Sequence, residues 1–332
     1  MHLFTAMSIL LYIIGVFGIF GNINILIAIY RIKPRMKSNL LIGILAFIDT
    51  FCILAEWHNA TRNILGIPSY RKECFYTISA YLFMCKMQTT LICAVAFDRL
   101  FAFTLPLRYI KVRDSRYVAL CCVPGVVSGI SFLTAAVLSM EDAPIAACNP
   151  PLAYPPFVNL VWNKWIISVD STTLVLLVLA LISMLIRERQ LKKTINSYEY
   201  KVLKRQRKMS LSCTVMVVIF LFTTFTSHSG MNLVRSFGTT ERAMETVQTL
   251  AVLPVMVAFA QAYYVFWWSS RLYRGAFKEQ ARAILPTFLH FSNPTMTVVS
   301  VSTHSAKQNN PTKTVVSVST HSAKQKYAIN RN

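Results

Sequence analysis

Long apolar stretches, separated by short polar connections, make up most of the chain before its C-terminal tail. An α-helix needs about 20 mostly apolar residues to cross a hydrocarbon core about 30 Å thick. Helix is the expected form because the core offers backbone groups no water. Seven spans are predicted, numbered helices 1 to 7: Leu3–Ile29, Leu40–Trp57, Phe75–Phe103, Tyr117–Met140, Val158–Ile186, Leu211–Phe237 and Met244–Trp268. The predicted fold is an all-α membrane protein, a seven-transmembrane helix bundle.

A short amphipathic segment follows helix 7. Its apolar residues recur at helical spacing among basic ones: Leu272, Tyr273, Ala276, Phe277 and Ala281. This pattern predicts a short interfacial helix with its apolar face in the acyl boundary. We expect it to end at Pro286, so residues 1–285 are predicted to form one membrane domain.

The remaining residues, 286–332, are rich in Ser and Thr and contain a 17-residue internal repeat. TVVSVSTHSAKQ occurs at Thr297–Gln308 and again at Thr314–Gln325. The composition predicts a disordered cytoplasmic tail. Phosphorylation of its hydroxyls by a kinase would suit binding of a regulatory partner; the alternative is a duplication without a function.

Basic residues fall mainly on alternate connections between the predicted helices. The net charge is +21, although only 14% of residues are charged and the mean hydropathy is +0.48. Lys and Arg cluster after helices 1, 3, 5 and 7, which marks these connections as cytoplasmic. The N-terminus is therefore predicted outside the plasma membrane and the C-terminus inside. This distribution favours membrane lipid over nucleic acid as the partner of the basic loops.

Cys74 and Cys148 are the only two of eight cysteines predicted to lie outside the membrane on the oxidising side. A disulfide is the natural pairing there and would tether the second outer loop across the bundle. The alternative is two unlinked thiols. No cysteine or histidine cluster has zinc-type spacing, so no metal site is predicted.

An ionisable residue, Asp49, lies inside helix 2. Such a group is costly in a membrane and should face the bundle interior beside polar partners. Asn22 of helix 1 and Gln88 of helix 3 are the candidates for this central polar site. A sodium ion or a proton is one candidate occupant near Asp49; the alternative is a carboxylic acid kept neutral by hydrogen bonds. No other cofactor is predicted.

Asp98-Arg99 ends helix 3 on the predicted cytoplasmic side. An adjacent carboxylate would hold the guanidinium, and Arg suits a switchable, bidentate pairing. The alternative is a pair of stop-transfer charges, which spacing alone favours.

An ordered set of short motifs runs through these helices. Its members are Gly21-Asn22, Leu45-Ala46 followed by Asp49, Cys74 placed 25 residues before Arg99, Asp98-Arg99, and Cys148. In this order and spacing the set resembles the rhodopsin-like G-protein-coupled receptors. Finer features resemble the nematode Srsx chemoreceptors, over roughly Gly18 to Phe277: AFDRLFAFTLPLRY at Ala96–Tyr109, Cys74-Phe75, Cys148–Pro151 and SSRLYRGAF at Ser269–Phe277.

The resemblance implies a sensory receptor in a neuronal or ciliary membrane. It would bind a small ligand among the outer halves of the helices and activate a heterotrimeric G protein. By motif match, Asp98 and Arg99 would engage the G protein. The coupling surface of the second inner loop would comprise Pro106, Leu107, Arg108 and Tyr109. Two motifs of the wider class are missing: helix 7 has no Asn-Pro-x-x-Tyr, with Phe266 at the Tyr position, and helix 6 has no Trp-x-Pro.

Two further charges lie inside helices that are neighbours in the receptor fold. Lys86 is about 20 Å along helix 3 from its inner end, and Asp170 is about 24 Å along helix 5. They are predicted to pair at a pocket floor or to anchor a polar ligand; the alternative is that each has separate partners. Other candidates for the ligand pocket are Tyr81, His228 and Asn232, with Trp162 and Trp165 as pocket or interfacial residues.

Other functions fit the sequence less well. A receptor for a neuropeptide or an amine transmitter would keep the same fold. A transporter would predict an inverted repeat or paired broken helices, and neither is visible. The predicted spans contain no nucleophile–base motif, so the chain is not expected to be an enzyme.

Overall fold

Helices make up nearly all of the computed structural model, which describes residues 2–32, 37–193, 197–237 and 240–292, together with 319–320 and 323–324. In chain order the elements are α1 (His2–Arg31), α2 (Lys37–Ile64), β1 (Ser69–Tyr70), α3 (Arg71–Thr104), α4 (Pro106–Lys111), α5 (Asp114–Leu138), β2 (Pro144–Ile145), α6 (Pro150–Ala153), α7 (Pro156–Lys193), α8 (Ser197–Ser236), α9 (Glu241–Leu250), α10 (Val252–Ala260), α11 (Ala262–Ser269), α12 (Arg271–Ser292), β3 (Ser319–Thr320) and β4 (Ala323–Lys324).

The apolar helices have the length that a membrane requires. Among the described residues, six of them are long and apolar enough to cross it: α1, α2, α3, α5, α7 and the Ser210–Gly230 part of α8. A seventh span consists of Thr246–Ala260 and Ala262–Ser269, which meet at an angle of 41°. The predicted all-α bundle of seven spans is confirmed, with its last span broken rather than continuous.

The breaks in the seventh span have identifiable causes. Pro254 lies near the start of α10 and disfavours a continuous helix through Ala251. The Oγ of Ser227 in α8 donates to the carbonyl oxygen of Ala251 at 2.9 Å. At the second break, the amide of Asn22 in α1 donates to the carbonyl oxygen of Phe259 at 3.1 Å. Side chains of neighbouring helices therefore satisfy carbonyl groups that a broken helix leaves free.

α3 lies in the interior and packs against α2, α5 and α7. Two glycines four residues apart let α5 approach it closely. A Cβ at Gly125 would lie 2.5 Å from Oγ1 of Thr90, and one at Gly129 would lie 2.5 Å from a ring carbon of Phe83. Small residues at this spacing are a common basis of helix packing in membranes.

The amphipathic segment after the seventh span is helical, as predicted, but it is not only a lipid-facing helix. Tyr273 and Phe277 are fully buried, and the Tyr273 hydroxyl donates to Oδ1 of Asn39 at 3.2 Å. The prediction that the apolar face lies in the acyl boundary is therefore wrong for these two residues. α12 also continues to Ser292, past Pro286, where we expected it to end.

The chain divides into two compact units, Met1–Arg282 and Ala283–Asn332. The second contains the end of α12 and the antiparallel pair β3–β4. Most of the predicted Ser/Thr-rich tail lies outside the described residues, so the domain boundary at residue 285 and the disorder of residues 286–332 stay predictions.

Candidate functional site

A disulfide fixes the chain at one end of the bundle, here called the disulfide end. It joins Cys74, in the first turns of α3, to Cys148, in the connection between α5 and α7. The same connection pairs with the chain before α3 through β1 and β2. Its next residue, Asn149, donates to Oγ1 of Thr249 in α9 at 3.1 Å. The connection is thus tied to both α3 and α9 and lies across the mouth of the bundle.

Below this connection is a partly enclosed cavity with a mostly apolar lining and a few polar groups. Such a lining is typical of small-molecule sites. Pro150 and Pro151 of α6 contribute to its lining, together with residues of α3, α7, α8 and α10. The principal polar and aromatic lining residues are Tyr81, Gln88, Trp162, Thr224, Ser227 and His228. The cavity is therefore a candidate ligand site, with the disulfide-linked connection at its edge.

The structure brings together only some of the predicted pocket residues. Tyr81 and His228 line the cavity. Asp170 accepts a hydrogen bond of 3.0 Å from Oγ1 of Thr224. No ion pair joins Lys86 to Asp170 in the part of the chain that the structure describes. The side chain of Asn232 lies outside the described residues.

Lys86 is instead surrounded by rings. Its Nζ lies 4.0 Å from the ring centroid of Phe132, 4.4 Å from that of Trp162, 5.0 Å from that of Trp165 and 5.4 Å from that of Tyr154. We call these four residues the aromatic cage. They come from α5, α7 and the residue directly after α6, so no local sequence pattern connects them. Trp162 belongs both to the cage and to the cavity wall.

Two of the three residues predicted for the central polar site, Asp49 and Gln88, lie in contact, whereas Asn22 bonds elsewhere. Nε2 of Gln88 donates to Oδ1 of Asp49 at 2.5 Å, and Gln88 also lines the cavity. Asn22 contacts the backbone of Phe259, and its Oδ1 is buried and has no hydrogen-bond partner among the described residues. Carboxylate and amide oxygens suit a hard cation such as sodium. No group of three or more His, Cys, Asp or Glu side chains within the described ranges is arranged to hold a metal ion.

A second buried acid, Glu56, was not predicted from the sequence. It is 2% exposed and interacts with the side chains of Tyr81 and Asn59. Glu56 lines a small second cavity at the disulfide end, next to Cys148. The signal that identified Asp49, an acid inside an apolar segment, was present here too. Glu56 was not singled out because it lies next to the predicted end of helix 2.

At the other end of α3, here called the Arg99 end, one carboxylate has two partners. Oδ2 of Asp98 accepts from Arg99 at 2.5 Å, and its Oδ1 accepts from the hydroxyl of Tyr109 at 2.9 Å. Burial, and then the charge of Asp98, raise the pKa of Tyr109 above its ordinary value. The phenol therefore stays protonated at neutral pH and remains a donor.

Lys37 also contacts residues at the Arg99 end. Its Nζ donates to the carbonyl oxygen of Tyr109, lies 4.5 Å from the centroid of that ring and is 3.7 Å from Oδ1 of Asp114. The sequence analysis did not single out Lys37, because its side chain is 95% shielded inside a basic connection that should have been exposed.

The predicted coupling residues form a helical turn in which Leu107 and Arg108 are exposed and Pro106 and Tyr109 are half-buried. Pro106, Leu107, Arg108 and Tyr109 lie in α4, with Leu107 and Ile110 each 75% exposed. Leu107 and Ile110 are thus large apolar side chains that the bundle does not cover. Elsewhere, Arg207 of α8 contacts both carboxylate oxygens of Glu188 in α7, at 2.8 and 2.9 Å.

The arrangement of helices is that of a known class of receptor. The fold is similar to the crystal structure of squid rhodopsin, with a TM-score of 0.65, 13% sequence identity, and coverage of 86% of this chain and 87% of that one. The family profile described as serpentine type 7TM GPCR chemoreceptor Srsx matches residues 15–281. The chain therefore belongs to the Srsx family, and it is a multi-pass membrane protein. The family consists of receptors, in agreement with the expectation that the chain is not an enzyme.

Curated relatives are more distant. The octopamine receptor of Heliothis virescens is 28% identical over 161 residues, which are 48% of this chain and 29% of that protein. Tyramine receptor 1 of Locusta migratoria is 26% identical over 176 residues, which are 51% of this chain and 31% of that protein. The chain thus spans less than a third of the length of these relatives.

Proposed function

We propose that the chain is a chemosensory receptor that binds a small ligand in the cavity and activates a heterotrimeric G protein. The observation that carries this proposal is that one helix, α3, contributes residues both to the cavity and to the Arg99 end. Near the disulfide end of α3, Tyr81, Cys85, Gln88 and Thr89 line the cavity. At the Arg99 end, the same helix presents Arg99 beside the exposed turn α4. Membership of the Srsx family supports the sensory role.

The orientation follows from charge and redox chemistry. We propose that the disulfide end faces the exterior, where a disulfide persists. The N-terminus would then be outside, and the basic connections would lie in the cytosol against anionic lipid. The plasma membrane, including the membrane of sensory cilia, is the proposed location. A kinase or arrestin acting on the Ser/Thr-rich tail is the proposed regulator.

Ligand binding would act through the contacts between α8 and its neighbours. The Ser227–Ala251 and Thr224–Asp170 hydrogen bonds join α8 to α10 and α7 beside the cavity. A ligand that prefers another arrangement of these helices shifts the population toward it. The break at Gln261 offers a hinge in place of the missing Asn-Pro-x-x-Tyr motif. In the G-protein-bound arrangement, Arg99 would leave Asp98, and sodium near Asp49 would favour the ligand-free arrangement.

A second candidate is an amine receptor, which the similarity to octopamine and tyramine receptors favours. A protonated amine needs a carboxylate at its site. No acidic side chain belongs to the cavity lining described above, and Asp170 is engaged by Thr224. We therefore place the amine receptor second, and a neuropeptide receptor or a transporter behind it.

A cell-based screen tests the proposal. The full chain would be expressed with a sensor of G-protein dissociation and exposed to a panel of small volatile and water-soluble compounds. Arg99→Ala is the coupling control, and Arg108→Ala tests the α4 surface. We expect a saturable response that Arg99→Ala abolishes while surface expression is kept. A response that survives in Arg99→Ala would contradict the assigned role, and tags on both termini found on one side of the membrane would contradict the topology.

A further inference from the structure

Lys86 is a buried basic side chain that has no acidic partner among the described residues. Its side chain is 1% exposed, and Nζ has no hydrogen-bond partner in the described part of the chain. An ammonium removed from water in this way is costly unless a negative charge or hydrogen bonds compensate for it. The nearest candidate acid on α7, Asp170, is bonded to Thr224 instead.

The aromatic cage compensates for only part of this cost. Each ring face attracts a cation by about 0.5–2 kcal/mol, depending on how dry the contact is. The rings also hold one another: Tyr154 lies 5.3 Å from Trp162, and Phe132 lies 5.5 Å from Trp165, between ring centroids. The ammonium therefore lies beside an aromatic wall and away from bulk water.

Other polar atoms at this wall also have no partner. They are the indole N–H of Trp162, the hydroxyl of Tyr154 and Nδ1 of His228, and each of the three side chains is at least 95% shielded. Trp162 and His228 line the cavity, and their rings are 5.7 Å apart. Unmade hydrogen bonds are costly in a dry interior. Lysine and indole are donors only, so the group that would satisfy both is an acceptor.

We infer that the cavity binds an acidic ligand, an apolar carboxylate whose negative charge is met by Lys86 and the Trp162 N–H. The inference rests on the proposed function because it takes the cavity to be the ligand site. Lys86 is not itself part of the cavity lining, but Nζ lies 4.4 Å from the ring centroid of Trp162, which is. Rotation of its flexible stem would bring the ammonium past this ring to the ligand. Ile166, Phe220, Val252 and Phe259 line the rest of the cavity and suit the apolar body of the ligand.

Thermal unfolding of the full chain, purified in detergent micelles, tests this inference without requiring coupling. The probes are butanoate, hexanoate and phenylacetate, each compared with its primary amide and with the amine of equal length. Lys86→Met removes the charge and keeps the length, and Lys86→Arg keeps the charge. Lys164→Met is the matched control, because Lys164 is an exposed lysine on α7.

We expect the acids to raise the melting temperature of the wild-type chain more than the amides or amines do. Lys86→Met should weaken the apparent affinity for the acids about 10- to 100-fold, the loss of a charge-assisted hydrogen bond. Lys86→Arg should retain most of it, and Lys164→Met should change nothing. The inference is overturned if amides or amines stabilise as well as acids, if Lys86→Met keeps the preference for acids, or if no acid stabilises the wild-type chain.

A G-protein sensor run in parallel separates the two proposals. Stabilisation by acids with a silent sensor supports the acidic-ligand site and counts against the proposed coupling. A sensor response to a neutral compound that Lys86→Met leaves unchanged supports the receptor and overturns the acidic-ligand inference.

Discussion

Gln88 donates a hydrogen bond of 2.5 Å to the carboxylate of Asp49, and the same Gln88 side chain lines the ligand cavity. The cavity and the central polar site therefore share one residue, although they were predicted separately. A ligand that displaces the Gln88 amide would leave Asp49 without this donor. Because an unpaired buried carboxylate is costly, this contact couples cavity occupancy to the middle of the bundle.

Replacing Gln88 by Leu should destabilise the receptor by about 1–3 kcal/mol, the cost of leaving a buried polar partner unsatisfied. The double change Gln88→Leu with Asp49→Leu should recover part of that loss, because both polar groups are then absent. Thermal unfolding in detergent micelles is the measurement. Thr104→Val, an exposed hydroxyl that bonds only within α3, is the control. A double variant that is less stable than Gln88→Leu would show that Asp49 has another essential partner.

The break in the seventh span gives a second prediction. Asn22→Leu removes the donor to the Phe259 carbonyl and should lower the stability by about 1 kcal/mol. Asn24→Leu is the matched control: its amide bonds the Phe20 carbonyl within α1, so only a minor change is expected. Equal effects of the two substitutions in the same melting experiment would mean that Asn22 does not stabilise the break.

Much of the fold could be predicted because each membrane-spanning helix appears in the sequence as one long apolar stretch. Seven spans were predicted from apolar length alone, since each helix must satisfy its own backbone groups. The breaks at Ala251 and Gln261 could not be found in this way. They depend on Ser227 and Asn22, side chains of other helices that hydropathy does not connect.

The candidate site was only partly predictable for a related reason. Asp49 and Gln88 were expected to meet because polar residues inside spans seek one another. The surroundings of Lys86 were not foreseen, because its neighbours are aromatic and come from three separate segments. Depth along the helices suggested Asp170 as its partner, yet helix rotation, which the sequence does not encode locally, turns Asp170 toward Thr224.

Loss of the disulfide should destabilise the disulfide end of the bundle more than the remainder of the bundle. Cys74→Ala, Cys148→Ala and the double variant should each lower the free energy of unfolding by about 2–4 kcal/mol, and the three losses should be equal. They should also reduce the ligand response, since Pro150 and Pro151 follow directly after Cys148. Surface labelling and melting curves measure this, with the free cysteine variant Cys122→Ala as the control. Single variants that differ strongly from the double variant would point to a role for one free thiol.

The Arg99 end gives a prediction about basal signalling. Asp98→Asn weakens the charge-assisted bond to Arg99 and should raise ligand-independent signalling about fivefold or more. Tyr109→Phe removes only the hydroxyl bond to Asp98 and should have a smaller effect in the same direction. Tyr70→Phe, an exposed tyrosine at the disulfide end, should have none. Lower basal signalling in Asp98→Asn, at equal surface expression, would mean that Asp98 supports coupling instead of restraining it.

Exchange of charges between Lys86 and Asp170 should not restore function. The structure gives the two side chains different surroundings, aromatic rings for Lys86 and the Thr224 hydroxyl for Asp170. An acid at position 86 would face the negative faces of the rings, and a lysine at position 170 would lose the hydroxyl donor.

The variants Lys86→Asp and Asp170→Lys should therefore each lower surface expression, and the double variant should be no better than the worse of the two. Exchange of Glu188 and Arg207 is the positive control, because their side chains do form an ion pair at 2.8 Å. That double variant should recover part of the loss of its single variants, as residues in direct contact do. Recovery in the Lys86 and Asp170 pair as well would show that the two charges meet in the membrane, and it would remove the unpaired cation on which the acidic-ligand inference depends.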